Sequence, residues 1–102
     1  MDYEKVYKIL KSIPKGKVTT YKAIADKLGI SPRFVGYILS RNEHPGRYPC
    51  YKVVRSDGYI GGYTVYGKNN TKTRNIKRYK LLMDKIKLHG YKVDKAFIIK
   101  EL

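Results

Sequence analysis

Apolar side chains in the first forty residues recur three times at helical spacing. Val6, Ile9, Leu10 and Ile13 predict a helix from Asp2 to Ile13, with Asp2 and Glu4 near its positive end, and Pro14-Lys15-Gly16-Lys17 stops it. Lys17-Val18-Thr19 is short and β-prone. Thr20 then suits the N-cap of a second helix through Ala23, Ile24, Ala25 and Leu28, and Gly29 stands at the expected C′ position. Ser31 caps a third helix with Pro32 at its first position, running through Phe34, Val35, Ile38 and Leu39 to about Arg41. Helix, glycine-containing turn, helix predicts a helix-turn-helix over about residues 20–41.

The pattern then changes. Residues 42–49 are irregular and deliver Cys50, completing a loop over about 42–54. Val53-Val54 and Tyr59-Ile60 flank Ser56-Asp57-Gly58, which predicts a β-hairpin and hence a wing over about 53–62. Gly61-Gly62-Tyr63 reads as a bend and Gly67-Lys68-Asn69-Asn70 as a polar loop. From about 73 to 88, Ile76, Tyr79, Leu82, Met83 and Ile86 space as a helix with a basic outer face, ended by His89-Gly90. Val93, Ala96, Phe97, Ile98 and Ile99 make the C-terminal stretch strand-like, closing the core. The expected fold is mainly α with a small β component, a winged helix-turn-helix-like unit in which residues 1–102 form one domain.

Charge narrows the function. Lys and Arg number 23 against 8 Asp and Glu, a formal charge of +15, which predicts a polyanionic partner held largely through phosphates. Nucleic acid is the first candidate, and the third helix suits it: Arg33, Tyr37 and Arg41 surround its polar side while Gly36 leaves one face nearly flat. A membrane surface would want a basic amphipathic helix with large exposed apolar residues. No apolar run reaches the ~20 residues of a span and the N-terminus lacks a signal core, so an intracellular location, cytoplasmic and nucleoid-associated or nuclear, is expected. One cysteine and two histidines give no internal disulfide and no plausible metal set, so neither metal nor cofactor is expected.

That cysteine is the candidate for chemistry. Cys50 follows Pro49 and precedes Tyr51-Lys52, and nearby Lys52 and Arg47 would favour the thiolate, the nucleophilic form. A lone cysteine is more often a small core hydrophobe.

Ordered blocks complete the picture: Ile13-Pro14-Lys15-Gly16-Lys17-Val18-Thr19-Thr20-Tyr21, Ser31-Pro32-Arg33-Phe34-Val35-Gly36, Arg41-Asn42, Pro49-Cys50-Tyr51-Lys52-Val53-Val54, Ser56-Asp57-Gly58 and Gly61-Gly62-Tyr63. With them, the chain from about Tyr3 to Leu88 resembles the DNA-binding, active-site domain of the O6-alkylguanine-DNA alkyltransferase family. The resemblance implies a helix in the minor groove, with Arg33 taking the place of a flipped-out guanine and Ser31, Phe34, Gly36, Tyr37 and Arg41 beside it on the DNA. It implies that Tyr21 crowds the phosphate of the flipped nucleotide and supplies a proton to the departing base, and that Asn42 ties the helix-turn-helix to the active-site loop. Leu39, Pro45, Val53, Tyr63 and Thr64 would line the base pocket, with the carbonyls of Cys50 and Val53 reading the exocyclic amine. Cys50 would take the alkyl group by direct displacement, once per molecule. A monomer acting on duplex DNA that carries O6-alkylguanine is the implied form, with O4-alkylthymine an open second substrate.

The chain departs from that pattern beside the nucleophile. The family's run has histidine and arginine after the cysteine, where this chain has Tyr51 and Lys52, and a glutamate normally orients that histidine. Two repairs are open: Tyr51 relays a proton to Asp84 or to water, or Lys52 and the nearby helix end stabilise the thiolate directly. Thr64-Val65-Tyr66-Gly67 replaces the usual small-residue run after Tyr63, which implies an altered pocket rim. The altered Tyr51 also leaves a second expectation, a protein that binds and flags the lesion without transfer; such proteins typically replace the cysteine that this chain keeps.

Overall fold

The computed structural model describes residues 2–44, 46–65 and 67–102. Helix α1 spans Asp2–Ser12, strand β1 Val18–Thr20, helix α2 Tyr21–Leu28 and helix α3 Pro32–Ser40. A 3-10 turn at Cys50–Lys52 leads into β2, Val53–Val54, and a long connection reaches α4, Thr71–Met83. The chain ends with β3 (Leu88–His89), β4 (Lys92–Val93), a 3-10 turn at Lys95–Phe97 and β5 (Ile98–Ile99).

Local chemistry sets the helix-turn-helix as expected. The Thr20 hydroxyl accepts the Ala23 N–H and the Ser31 hydroxyl accepts the Phe34 N–H, each relieving an orphan donor of a first turn. Gly29, left-handed at φ 70°, closes α2 by donating to the Ala25 carbonyl. The apolar faces of α1, α2 and α3 meet in one core built on Val6, Leu10, Ile24, Val35 and Ile38, and Cys50, Val53 and Tyr63 belong to it. A second core gathers Val18, Val54, Ile60, Leu81, Ile86 and Val93.

The β structure differs from the expected wing. Val53 and Val54, both fully buried, pair in parallel with Thr19 and Thr20 of β1, and β5 pairs in parallel on the other side of β1. A strand apolar on both faces belongs inside a parallel sheet, not in a two-stranded hairpin open to water. The tight turn survives: Gly58 donates to the Arg55 carbonyl, and the Arg55 N–H to the Tyr59 carbonyl. The chain then leaves to pair antiparallel with the C-terminal hairpin, through Tyr59 against Lys92, Ile60 N–H to the Tyr91 carbonyl and Val93 N–H to the Gly58 carbonyl. Gly58 is required there, because its φ of 92° is left-handed and a Cβ would stand 3.0 Å from the Val93 carbonyl.

The last helix is also shorter than its apolar spacing predicted. It opens on a capping box between Asn70 and Thr73 and stops at Met83, not at residue 88. Lys85 takes the left-handed C′ position at φ 64°, its N–H bonds the Leu82 carbonyl and the Ile86 N–H bonds that of Leu81, a Schellman closure. Residues 88–93 then form the β3–β4 hairpin, turning at Gly90. The helix also presents the opposite face: Thr73, Lys77, Leu81 and Asp84 are buried, whereas Ile76, Tyr79, Leu82 and Met83 are exposed. Among the described residues the architecture remains four helices with small sheets, a winged helix-turn-helix-like fold. Among the described residues no helix is long and apolar enough to cross a membrane.

Candidate active site and nucleic-acid interface

Pro49, with φ at −75°, enters the 3-10 turn that Cys50 begins, and the Lys52 N–H closes that turn onto the Pro49 carbonyl. The loop before it is pinned from two sides. Tyr48 stacks on Tyr7 of α1, ring centroids 4.6 Å apart, while its carbonyl accepts both the Cys50 N–H at 2.7 Å and the Asn42 side-chain amide at 2.8 Å. Asn42 thus ties the end of α3 to the residue that holds the cysteine backbone, and its Oδ1 also accepts the His44 N–H.

Cys50 is 7% exposed and lies in the wall of a cavity of about 1120 Å³. Of the residues expected at the site, Tyr21, Arg33, Gly36, Leu39, Tyr63 and Thr64 line this cavity with it. Arg55, Gly62 and Asn69 join them. Asn69 lies close against Gly62, at a position the sequence marked only as polar loop. Nothing stands within 4 Å of a Cβ built on Gly36, so the bare face of α3 is open. Ser31, Arg33, Tyr37 and Arg41 are exposed on the same helix and its ends, and the Phe34 and Tyr37 rings stack at 6.3 Å.

Other expectations fall elsewhere. Val53 does not line the cavity: it is fully buried in the parallel sheet, and its carbonyl accepts the Lys77 ammonium at 2.8 Å. Pro45 lies outside the described residues. Tyr51 faces a separate cavity together with Lys80 and Asp84. Oδ2 of that carboxylate takes the Lys52 ammonium at 3.1 Å and the Gly16 N–H at 3.2 Å. Burial first, and then the charge of Asp84, raises the Tyr51 phenol above its ordinary value and keeps it protonated.

The two cations expected to serve the sulfur have other partners. Lys52 is buried between Asp84 and the Pro14 carbonyl, 2.8 Å away, and Arg47 lies 5.6 Å from the centre of the Tyr48 ring. A further lysine, Lys77, bonds the strand that follows the cysteine turn. It is 1% exposed, donates to the carbonyls of Val53 and Gly62, and lies 5.8 Å from the centre of the Tyr21 ring. Burial pushes its ammonium down to about 7, and charge on Cys50 pulls it partly back up. Tyr21 responds in the opposite direction: burial, followed by Cys50, pushes its phenol up to about 12, so it keeps its proton in the cavity. The family model described as the DNA-binding domain of 6-O-methylguanine DNA methyltransferase matches residues 2–85. Among curated relatives, a methylated-DNA–protein-cysteine methyltransferase of Pyrobaculum aerophilum is 54% identical over 55 residues, covering 54% of this chain and 37% of the relative. A bifunctional methyltransferase/endonuclease of Picrophilus torridus is 48% identical over 65 residues, covering 62% of this chain and 22% of the relative. The chain therefore spans well under half the length of these relatives. Among solved structures, the O6-methylguanine-DNA methyltransferase of Pyrococcus kodakaraensis superposes with a TM-score of 0.67 at 36% identity, over 80% of this chain and 44% of that one. Schizosaccharomyces pombe Atl1, solved with DNA containing O6-carboxymethylguanine, superposes with a TM-score of 0.81 over 97% and 94% of the two chains, and at 24% identity this is a likeness of fold. With the family model covering most of its length, the chain belongs to the DNA-binding-domain family of the 6-O-methylguanine DNA methyltransferases.

Proposed function

We propose that this chain repairs DNA by moving the alkyl group of O6-alkylguanine onto Cys50, once per molecule. The observation that carries the reading is the placement of Cys50 in one cavity with Arg33 and the open face at Gly36, so that a base displaced by α3 would meet the sulfur. Ser31, Phe34, Tyr37 and Arg41 extend the contact along the duplex, and the +15 charge holds the phosphates. The Cys50 thiol gives its proton to water, the thiolate attacks the alkyl carbon and the S–C bond forms as the C–O6 bond breaks. The departing guanine takes a proton through the Tyr21 hydroxyl, which water replaces so that the phenol ends protonated. Lys77, bonded to the carbonyls of Val53 and Gly62, braces the strand that follows the cysteine turn against the pocket wall. Asn42 holds the loop, and Leu39, Tyr63 and Thr64 bound the base.

The state of Asp84 supports a second reading. With that carboxylate held by Lys52 and Tyr51 protonated, the residue after Cys50 is not a base, which favours a protein that binds the lesion without transfer. Intact-protein mass spectrometry after incubation with duplex DNA containing O6-methylguanine separates the two. One added methyl mapped to Cys50, absent in Cys50→Ala while lesion binding persists, is the expected result. No added mass with retained lesion preference selects the second reading.

A further inference from the structure

Two lysines one turn apart on α4 cross-link the same two segments. Lys77 donates to the carbonyl of Val53, just past the 3-10 turn of the cysteine, and to that of Gly62. Lys80 repeats the pattern with side chains: its Nζ donates to the Tyr63 hydroxyl at 3.1 Å and lies 5.5 Å and 5.8 Å from the ring centres of Tyr63 and Tyr51. Tyr63, 4% exposed, belongs to the cavity that holds Cys50, whereas Tyr51 and Lys80 line the other one. Lys80 therefore reaches the aromatic wall from outside the cavity and cannot touch a base bound within it without moving.

We propose that Lys80 is a positioning residue for lesion recognition, its ammonium fixing the Tyr63 phenol in the pocket wall against Tyr51 of the cysteine turn. A charged donor bonds a phenol oxygen more strongly than a neutral one, and with that oxygen accepting from Lys80 the hydroxyl proton is left to point elsewhere. Cation–π attraction to the Tyr51 ring adds to the restraint. Without the cation the Tyr63 ring and hydroxyl regain freedom, and a bound base must order them again at the expense of affinity.

The inference rests on the lesion-binding step of the proposed function and not on transfer, so its test is made in the Cys50→Ala background. Fluorescence anisotropy compares affinity for a duplex holding one O6-methylguanine with that for the unmodified duplex. Lys80→Leu should lower this preference by about tenfold, the order of one charge-assisted hydrogen bond. Lys80→Arg, which keeps charge and donors, should restore it to within about twofold, and Tyr63→Phe should match Lys80→Leu, the double variant being no worse than either. A preference unchanged in Lys80→Leu, or additive losses in the double variant, overturns the assignment while leaving lesion binding intact. A Cys50→Ala parent without any preference overturns both the assignment and the reading beneath it.

Discussion

Replacing Lys77 by methionine tests the electrostatic centre of the site through stability alone. Lys77 is almost completely buried and its ammonium is held down to about 7, whereas a lysine in the unfolded chain titrates near 10.5. Between those values the unfolded chain binds a proton that the folded chain has shed, so unfolding free energy rises with pH across the window. Below pH 7 both states are protonated and the cost of burying the charge is carried in full. One whole proton gives about 1.4 kcal/mol per pH unit, so from pH 7.5 to 9.5 the wild type should gain about 2–3 kcal/mol from this residue. The upper limit avoids the tyrosines: Tyr21, pushed up to about 12, acts with the opposite sign above pH 10. Urea unfolding of wild type and Lys77→Met at pH 7.5, 8.5 and 9.5 isolates the effect as the difference in slope. The offset at a single pH is no test, since methionine relieves a buried charge but also strips a donor from the carbonyls of Val53 and Gly62. Parallel pH dependences in the two proteins would refute the depressed ammonium.

Arg33→Ala should slow reaction with O6-methylguanine in duplex DNA by at least about tenfold while changing reaction with free O6-benzylguanine less than about twofold, because only duplex substrate needs its base displaced. Equal losses on the two substrates in single-turnover kinetics would remove Arg33 from that role. Lys85→Gly should stabilise the fold by about 1 kcal/mol, since a side chain occupies a left-handed C′ position at φ 64°. Thermal unfolding should show this as a midpoint higher by about 4 °C or more, and an unchanged or lower midpoint would mean that the lysine side chain contributes more than its backbone costs.

The helix-turn-helix was legible because its signals are local. Thr20, Gly29, Ser31 and Pro32 act on atoms within one turn of themselves, and their caps form as the residue types require. The cavity residues Tyr21, Arg33, Gly36, Leu39, Cys50, Tyr63 and Thr64 were legible as a set through the resemblance, and the fold brings them together. Strand partnership was not legible. Val53-Val54 and Tyr59-Ile60 carry the same β-prone pattern whether they pair with each other or with distant strands, and the partners lie at residues 19–20 and 91–93.

Helix α4 is where sequence pattern and structure part furthest, and the reason bears on function. Its apolar stripe predicts a face of Ile76, Tyr79, Leu82 and Met83 turned inward, yet those residues are exposed, and the buried row of Thr73, Lys77, Leu81 and Asp84 carries two ionisable groups. Burying an ammonium or a carboxylate is costly unless each is bonded, and here each is: Lys77 to two carbonyls, Asp84 to Lys52 and the Gly16 N–H. The partners come from β2 and the loop beyond it for Lys77, and from the cysteine turn and the β1 approach for Asp84, so the helix turns its polar row toward the segments that carry Cys50. Hydrophobic periodicity cannot report this, since it assigns lysine to solvent before asking what waits inside. A better signal is the spacing itself: Lys77, Lys80 and Asp84 recur at intervals of three and four, the period of one helix face. That face, and not the apolar one, is matched to the cysteine loop, which makes α4 part of the site as much as part of the core.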